Sequence, residues 1–309
     1  MTNKFSRIFS KISPAVLSFT LLITPCFSQS FDWEKISSDK FSVFYLDNDY
    51  NNAKNILNTL TEAYPLLRKA IGSELAFSIN IFLSNSENVY KNIVGKNFPD
   101  WSSGAALPAH RVMVLKSHEV NQDIHKIAIH ELTHLLIDQA THSKPIPRWL
   151  NEGLAVYFSG EKNFASTSLI SKALMTQSII DLSDIDYVLT FHKSKAQLAY
   201  QESYLAVKYL IETYGLESVR NIIKQIALTN DYDAAFTSAI GMDMYNFEYE
   251  WFQYVQDNYR WHFLADFEIY LWMSMPLLFI VIFIIIRIRN RKTLKRWESE
   301  DAFFDEDEI

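Results

Sequence analysis

The sequence predicts an α+β domain, a small mixed sheet followed by a metal-binding helix and a helical lobe, with one transmembrane helix after it. Three observations lead there. Strand-like segments occur only before about Leu115, whereas the chain from about Asn121 to Tyr259 carries apolar residues at helical spacing. His130-Glu131-Leu132-Thr133-His134 lies inside one such apolar run, Ile127 to Ile137, which places H-E-x-x-H on a buried helix. Ile269 to Ile286 is a run of 18 residues without a charge, long enough for a bilayer-spanning helix.

Composition permits this and excludes other classes. Of 309 residues, 49% are apolar and 15% aromatic, ample for a packed core. The net charge of −7 and basic residues clustered near the two ends leave no electrostatic footprint for nucleic acid. Cys26 is the single cysteine, so no disulfide framework exists, and thiols drop out as ligands or nucleophiles once the N-terminal segment is removed.

Residues 1–28 read as a secretory signal peptide: Lys4, Arg7 and Lys11, then an apolar run from Ala15 to Ile23, then Pro25-Cys26-Phe27-Ser28. The catalytic domain is expected over 29–266. Phe31 to Leu46 ends in strand-like alternation, a helix runs from about Asn52 to Ile71 before Gly72, and Phe77 to Leu83 is a second strand. Arg111 to Leu115 is read as a third strand, reached through the loop from Trp101 to Ala105, and as the edge that an extended substrate would pair with. The metal helix is expected from Val120 or Asn121 to about Gln139, and a helix from near Trp149 carries Glu152. Helices follow near Ser166 to Thr176, Lys195 to Tyr214, Leu216 to Leu228 and Met242 to Tyr259. A transmembrane helix is assigned to 267–288. Arg287, Arg289, Arg291, Lys292, Lys295 and Arg296 follow it, so the tail 289–309, basic and then acidic, is expected in the cytoplasm and the catalytic domain outside it.

Residues four apart on a helix share a face, so His130 and His134 can point at one metal while Glu131, one step round, reaches a water there. Glu152, after 17 intervening residues, is the third ligand of what reads as a catalytic zinc site with one open position. Zinc would bring the pKa of its water to about 7, Glu131 would take the proton, and a hydrogen-bond donor should face the oxyanion. Tyr200 and Tyr204 are the donors considered, and simple packing roles weigh equally for either. His142 and His192, in polar context, are assigned to the surface, and His110, His118, His125 and His262 to exposed or capping roles.

HELTH followed by PRWLNEGLAVY resembles the gluzincin clan of zinc metallopeptidases, in particular the peptidase MA-like domain family, and WLNEG is shared with the clan's membrane aminopeptidases. The resemblance implies a zincin-like fold, Zn2+ held by His130, His134 and Glu152, Glu131 as general base, and the oxyanion-stabilising tyrosine at Tyr200, within AYQESYLAVKYLIETYG. Where those aminopeptidases carry Gly-x-Met-Glu-Asn, whose acid grips a free amine, the nearest stretch here is Gly104-Ala105-Ala106-Leu107-Pro108, without an acid. The expectation is therefore a membrane-anchored zinc peptidase that cuts within protein or peptide chains outside the cytoplasmic membrane. The alternatives are a non-catalytic zinc-binding scaffold and a zinc hydrolase of a non-peptide cell-envelope amide.

Overall fold

The computed structural model describes residues 31–46, 48–95, 102–118, 123–161 and 167–306. The signal-peptide assignment falls outside these residues. The chain divides after Asp32, and every element below belongs to the unit Trp33–Ile309.

Five strands form one mixed sheet. The strands β1 (Glu34–Ser37), β2 (Phe41–Tyr45), β3 (Ile79–Ser84), β4 (Gly104–Leu107) and β5 (Val112–Lys116) are ordered β1-β2-β3-β5-β4. β2, β3 and β5 run parallel, and the outer strands β1 and β4 are antiparallel to their neighbours. Alternate residues Phe41, Val43, Ile79, Ile81, Leu83, Met113 and Leu115 enter the main core, as period-two side chains on one face must. Helices α1 (Tyr50–Ile71) and α3 (Ile124–Thr141) share that core, while the short α2 (Glu87–Val94) sets Tyr90 in a smaller cluster with Ala105 and Val114. Ala53, Ile56, Leu60, Tyr64, Leu67 and Ile71 recur at helical spacing along α1, which ends on Gly72 at φ +79°.

The sheet corrects one expectation. The strand read as the open edge, Arg111 to Leu115, is β5, hydrogen-bonded on both sides by β3 and β4. The edge strand on this side of the sheet is β4, which overlaps the end of the expected loop from Trp101 to Ala105. Its sequence Gly-Ala-Ala-Leu has little intrinsic strand preference; pairing with β5, through a turn that puts Arg111 at φ +57°, makes it a strand.

The helical lobe follows: α4 (Arg148–Ser159), α5 (Thr167–Thr176), a 3-10 helix (Leu182–Thr190), α6 (Lys193–Tyr214), α7 (Leu216–Thr229), α8 (Tyr232–Ile240) and α9 (Met244–Tyr259). The 3-10 helix and α8 lie where the sequence reading has no element. α8 is short, with Ala235 and Phe236 as its buried residues, too few to display a period. Finally α10 runs unbroken from Phe263 to Glu306. Its stretch Leu271–Trp297 is long and apolar enough to cross a membrane and is wholly unburied. The helix outruns the expected span at both ends, and past Ile286 it continues because the basic segment there is rich in good helix formers.

One buried acid in the lobe makes stability depend on pH. Both carboxylate oxygens of Glu202 on α6 face the Ile180 backbone N–H, at 3.2 and 3.3 Å, and the side chain is fully buried. Burial raises its pKa well above the usual carboxylate range; the Ile180 N–H and Lys195 oppose this, and Asp181 and Glu248 add to it. The unfolded chain ionises this group near pH ~4.3. From there upward the unfolded state loses a proton that the fold keeps, so stability falls as pH rises toward the folded pKa. Glu202→Gln retains an acceptor for Ile180. In thermal melts it should match the wild type near pH 4 and exceed it by a few degrees at pH 7.

Candidate metal centre

Local rules place the first two ligand candidates. Asp123 caps α3 by accepting from the His125 N–H, and Ala128, Leu132, Leu135 and Leu136 bury one side of the helix. His130 and His134 then stand one turn apart on an adjoining face, ring centroids 4.8 Å apart. α4 starts after Pro147, and its buried Trp149, Leu150 and Leu154 seat it in the core, carrying Glu152 inward.

His130 Nε2 lies 3.6 Å and His134 Nε2 3.5 Å from Glu152 Oε2. One ligand atom from each of the three residues falls within 4.8 Å of the others. A tetrahedral zinc with bonds of about 2.0–2.2 Å needs ligand atoms roughly 3.3–3.5 Å apart. The donor set, two imidazoles and a carboxylate on a rigid two-helix frame, therefore fits a zinc ion. Burial lowers the His130 pKa, but Glu152 and Glu161 outweigh it and leave His130 raised well above the usual imidazole value. Burial raises the Glu152 pKa, and His134, His130 and Arg148 reverse this to well below the usual range.

Each ligand candidate is braced from behind, and this layer is absent from the sequence reading. Glu161 Oε1 lies 2.9 Å from His130 Nδ1, and the Ser159 hydroxyl donates to Glu161 at 3.1 Å. Asn151 Oδ1 is 2.9 Å from His134 Nδ1. Arg148 Nε is 3.2 Å from Glu152 Oε1, and the Arg148 backbone N–H donates to Asp186 of the 3-10 helix at 2.9 Å. Arg148 stands four residues before Glu152, a spacing legible in the sequence. Glu161 arrives after α4 has ended on Gly160 at φ +64°, beyond the reach of helical periodicity. Because such partners fix ring orientation and ligand basicity, Glu161→Gln should weaken zinc binding about 10- to 100-fold while sparing the fold, measured by competition with a chelator.

Glu131 is buried beside the ligands, and burial chiefly raises its pKa, with His130 and His134 opposing and Glu152 and Glu161 adding. The edge strand β4 presses on it: a Cβ at Gly104 would stand 2.7 Å from Glu131 Oε1 and 2.6 Å from Ile127 Cγ2. Only glycine leaves the carboxylate its place there. On the far side, Gly153 lets α4 and α6 approach so closely that a Cβ would collide with the Ser203 carbonyl oxygen. This contact brings the helix bearing Tyr200 onto the helix bearing Glu152. Burial raises the Tyr200 pKa well above its usual value, and Glu152, Glu131 and Glu161 add to that rise against Arg148. Tyr204 instead answers to burial, Lys208, Tyr259 and Tyr157, and its ring lies against Tyr157. Other histidines have separate partners: His125 bonds Thr59 at 2.7 Å, His118 faces the Ser84 carbonyl, and His192 caps α6.

The sequence matches the Peptidase MA superfamily over residues 59–257, a span that includes α3, α4 and α6. No curated protein matches it significantly. Among solved structures, a two-domain M1 zinc metallopeptidase mutant bound to L-tryptophan is 11% identical, with a TM-score of 0.39, covering 71% of this chain and 51% of its own. Yeast LTA4 hydrolase in complex with bestatin is 14% identical, with a TM-score of 0.38, covering 74% of this chain and 38% of its own. The chain thus spans about half or less of the length of these two proteins.

Proposed function

The chain belongs to the Peptidase MA superfamily, and from that premise we propose that it is a zinc-dependent endopeptidase, anchored by α10, that cuts proteins or peptides outside the cytoplasmic membrane. The observation that carries this reading is the convergence of His130, His134 and Glu152 within 4.8 Å, with the buried Glu131 carboxylate on the same helix.

His130, His134 and Glu152 would hold the ion, which supplies Lewis acidity toward a water and a substrate carbonyl when bound. Glu131 accepts the proton of the attacking water and passes it to the leaving amine; its raised pKa suits a group that must both take and give. Tyr200 keeps its phenolic proton and donates it in a hydrogen bond to the developing oxyanion. The edge strand β4 offers backbone groups to an extended peptide, and its sequence Gly-Ala-Ala-Leu holds no acid to grip a free amine, which favours internal cleavage. The six basic residues from Arg287 to Arg296 support a cytoplasmic end for α10 and an external site for the catalytic domain.

The test is a comparison of membrane-fraction peptides from cells carrying the wild type and the Glu131→Gln chain, alongside zinc content. Cleavage products confined to the wild type identify substrates. Zinc bound in both with no difference in peptides refutes the peptidase reading. Tyr200→Phe should lower kcat by about 10²-fold or more with zinc content unchanged, and unchanged turnover would remove Tyr200 from the oxyanion role.

A further inference from the structure

We propose that Arg148 is a specificity residue whose guanidinium receives a substrate carboxylate, so that the enzyme favours peptides with an acidic side chain or a free C-terminal carboxylate close to the scissile bond. The proposal rests on the peptidase reading and adds a substrate class to it. Arg148 shares a face of α4 with Glu152, one turn away, and the bond from its backbone N–H to Asp186 fixes the start of that helix. Its Nε is buried 3.2 Å from Glu152 Oε1, yet the N–H is not aligned on that oxygen. Among the described residues, none of the guanidinium N–H groups makes a hydrogen bond.

That arrangement steadies Glu152 through Nε alone and leaves the rest of the guanidinium suited to a receptor. A guanidinium that served only to hold Glu152 would turn its fork onto the carboxylate in two parallel bonds. Here only Nε approaches Glu152, and among the described residues Nη1 and Nη2, a planar pair matched to a second carboxylate, have no hydrogen-bond partner. The side chain is 31% exposed against 7% for Glu152, so an incoming group can reach it. The Glu152 carboxylate beside it is itself engaged by His130 and His134, which reduces its repulsion of a second anion. A planar carboxylate can pair bidentately with the two Nη groups.

The test uses the full chain in detergent with matched peptides: one with Glu or Asp near the cleaved bond, its Gln or Asn counterpart, and each with a free or an amidated C-terminus. Cleavage by the wild type, Arg148→Lys and Arg148→Met is measured. Binding of the same peptides to metal-free Glu131→Gln protein, with and without Arg148→Met, is followed by calorimetry. The expected result is a wild-type preference of about 10- to 100-fold in kcat/KM for one carboxylate source. The preference should be lost in Arg148→Met, partly kept in Arg148→Lys and mirrored in binding. The side-chain and C-terminal arms show which carboxylate is received. Equal cleavage of all four peptides by the wild type, or an equal loss on all four in a folded Arg148→Met protein, overturns the proposal and leaves the peptidase reading standing. A wild type that binds zinc and cleaves none overturns both.

Discussion

Glu131→Gln is expected to abolish turnover, by at least about 10³-fold, while leaving zinc stoichiometry and thermal stability near those of the wild type. The amide is the same size as the carboxylate and sits on the same face of α3, under Gly104 and Ile127, so neither the packing nor the ligand geometry changes. What changes is basicity, since an amide cannot accept the water's proton. The His130, His134 and Glu152 atoms that converge do not include any from Glu131, which is why metal retention and activity should separate. The measurement is kcat together with metal analysis of the same sample. A variant that cleaves at the wild-type rate would show that another group is the base, and one that loses its zinc would show that Glu131 supports the ligands.

Glu152→Ala is expected to have the opposite signature, losing metal and activity together. It removes one of the three proposed ligand atoms and leaves the buried Arg148 Nε facing no carboxylate, so both electrostatics and coordination should suffer. The loss in zinc affinity should exceed the roughly 10- to 100-fold assigned to a supporting group such as Glu161. Ligand linkage makes this visible without an activity assay: zinc at 100 times Kd stabilises a folded protein by about 2.7 kcal/mol. The wild-type melting temperature should therefore rise with zinc and fall back on chelation, whereas the variant's should not respond. A zinc-dependent shift of wild-type size in Glu152→Ala would remove it from the ligand set.

The sequence by itself determined whatever is local or periodic. The i, i+4 spacing of His130 and His134 holds on any α-helix, and the apolar run from Ile127 to Ile137 makes α3 a helix. The boundaries of α1, α6, α7 and α9 follow from the 3.6-residue period and from stops such as Gly72, Gly215 and Asn230, and they agree with the structure to within about two residues. The uncharged run after Ile269 marks α10 in the same way. Tertiary structure alone decided the rest, because pairing and packing between distant segments leave no period to read. β4 is a strand because β5 pairs with it, which moves the sheet's open edge away from Arg111 to Leu115. Gly104 matters through the Glu131 side chain that it touches from 27 positions away in the chain, and Gly153 through the Ser203 carbonyl of α6. Glu161 reaches His130 by way of a left-handed turn at Gly160, and Arg148 is held by Asp186 from a 3-10 helix with no sequence signature. Spacing on two helices named the groups that converge, and the packing of those helices against a strand and a third helix set their electrostatics.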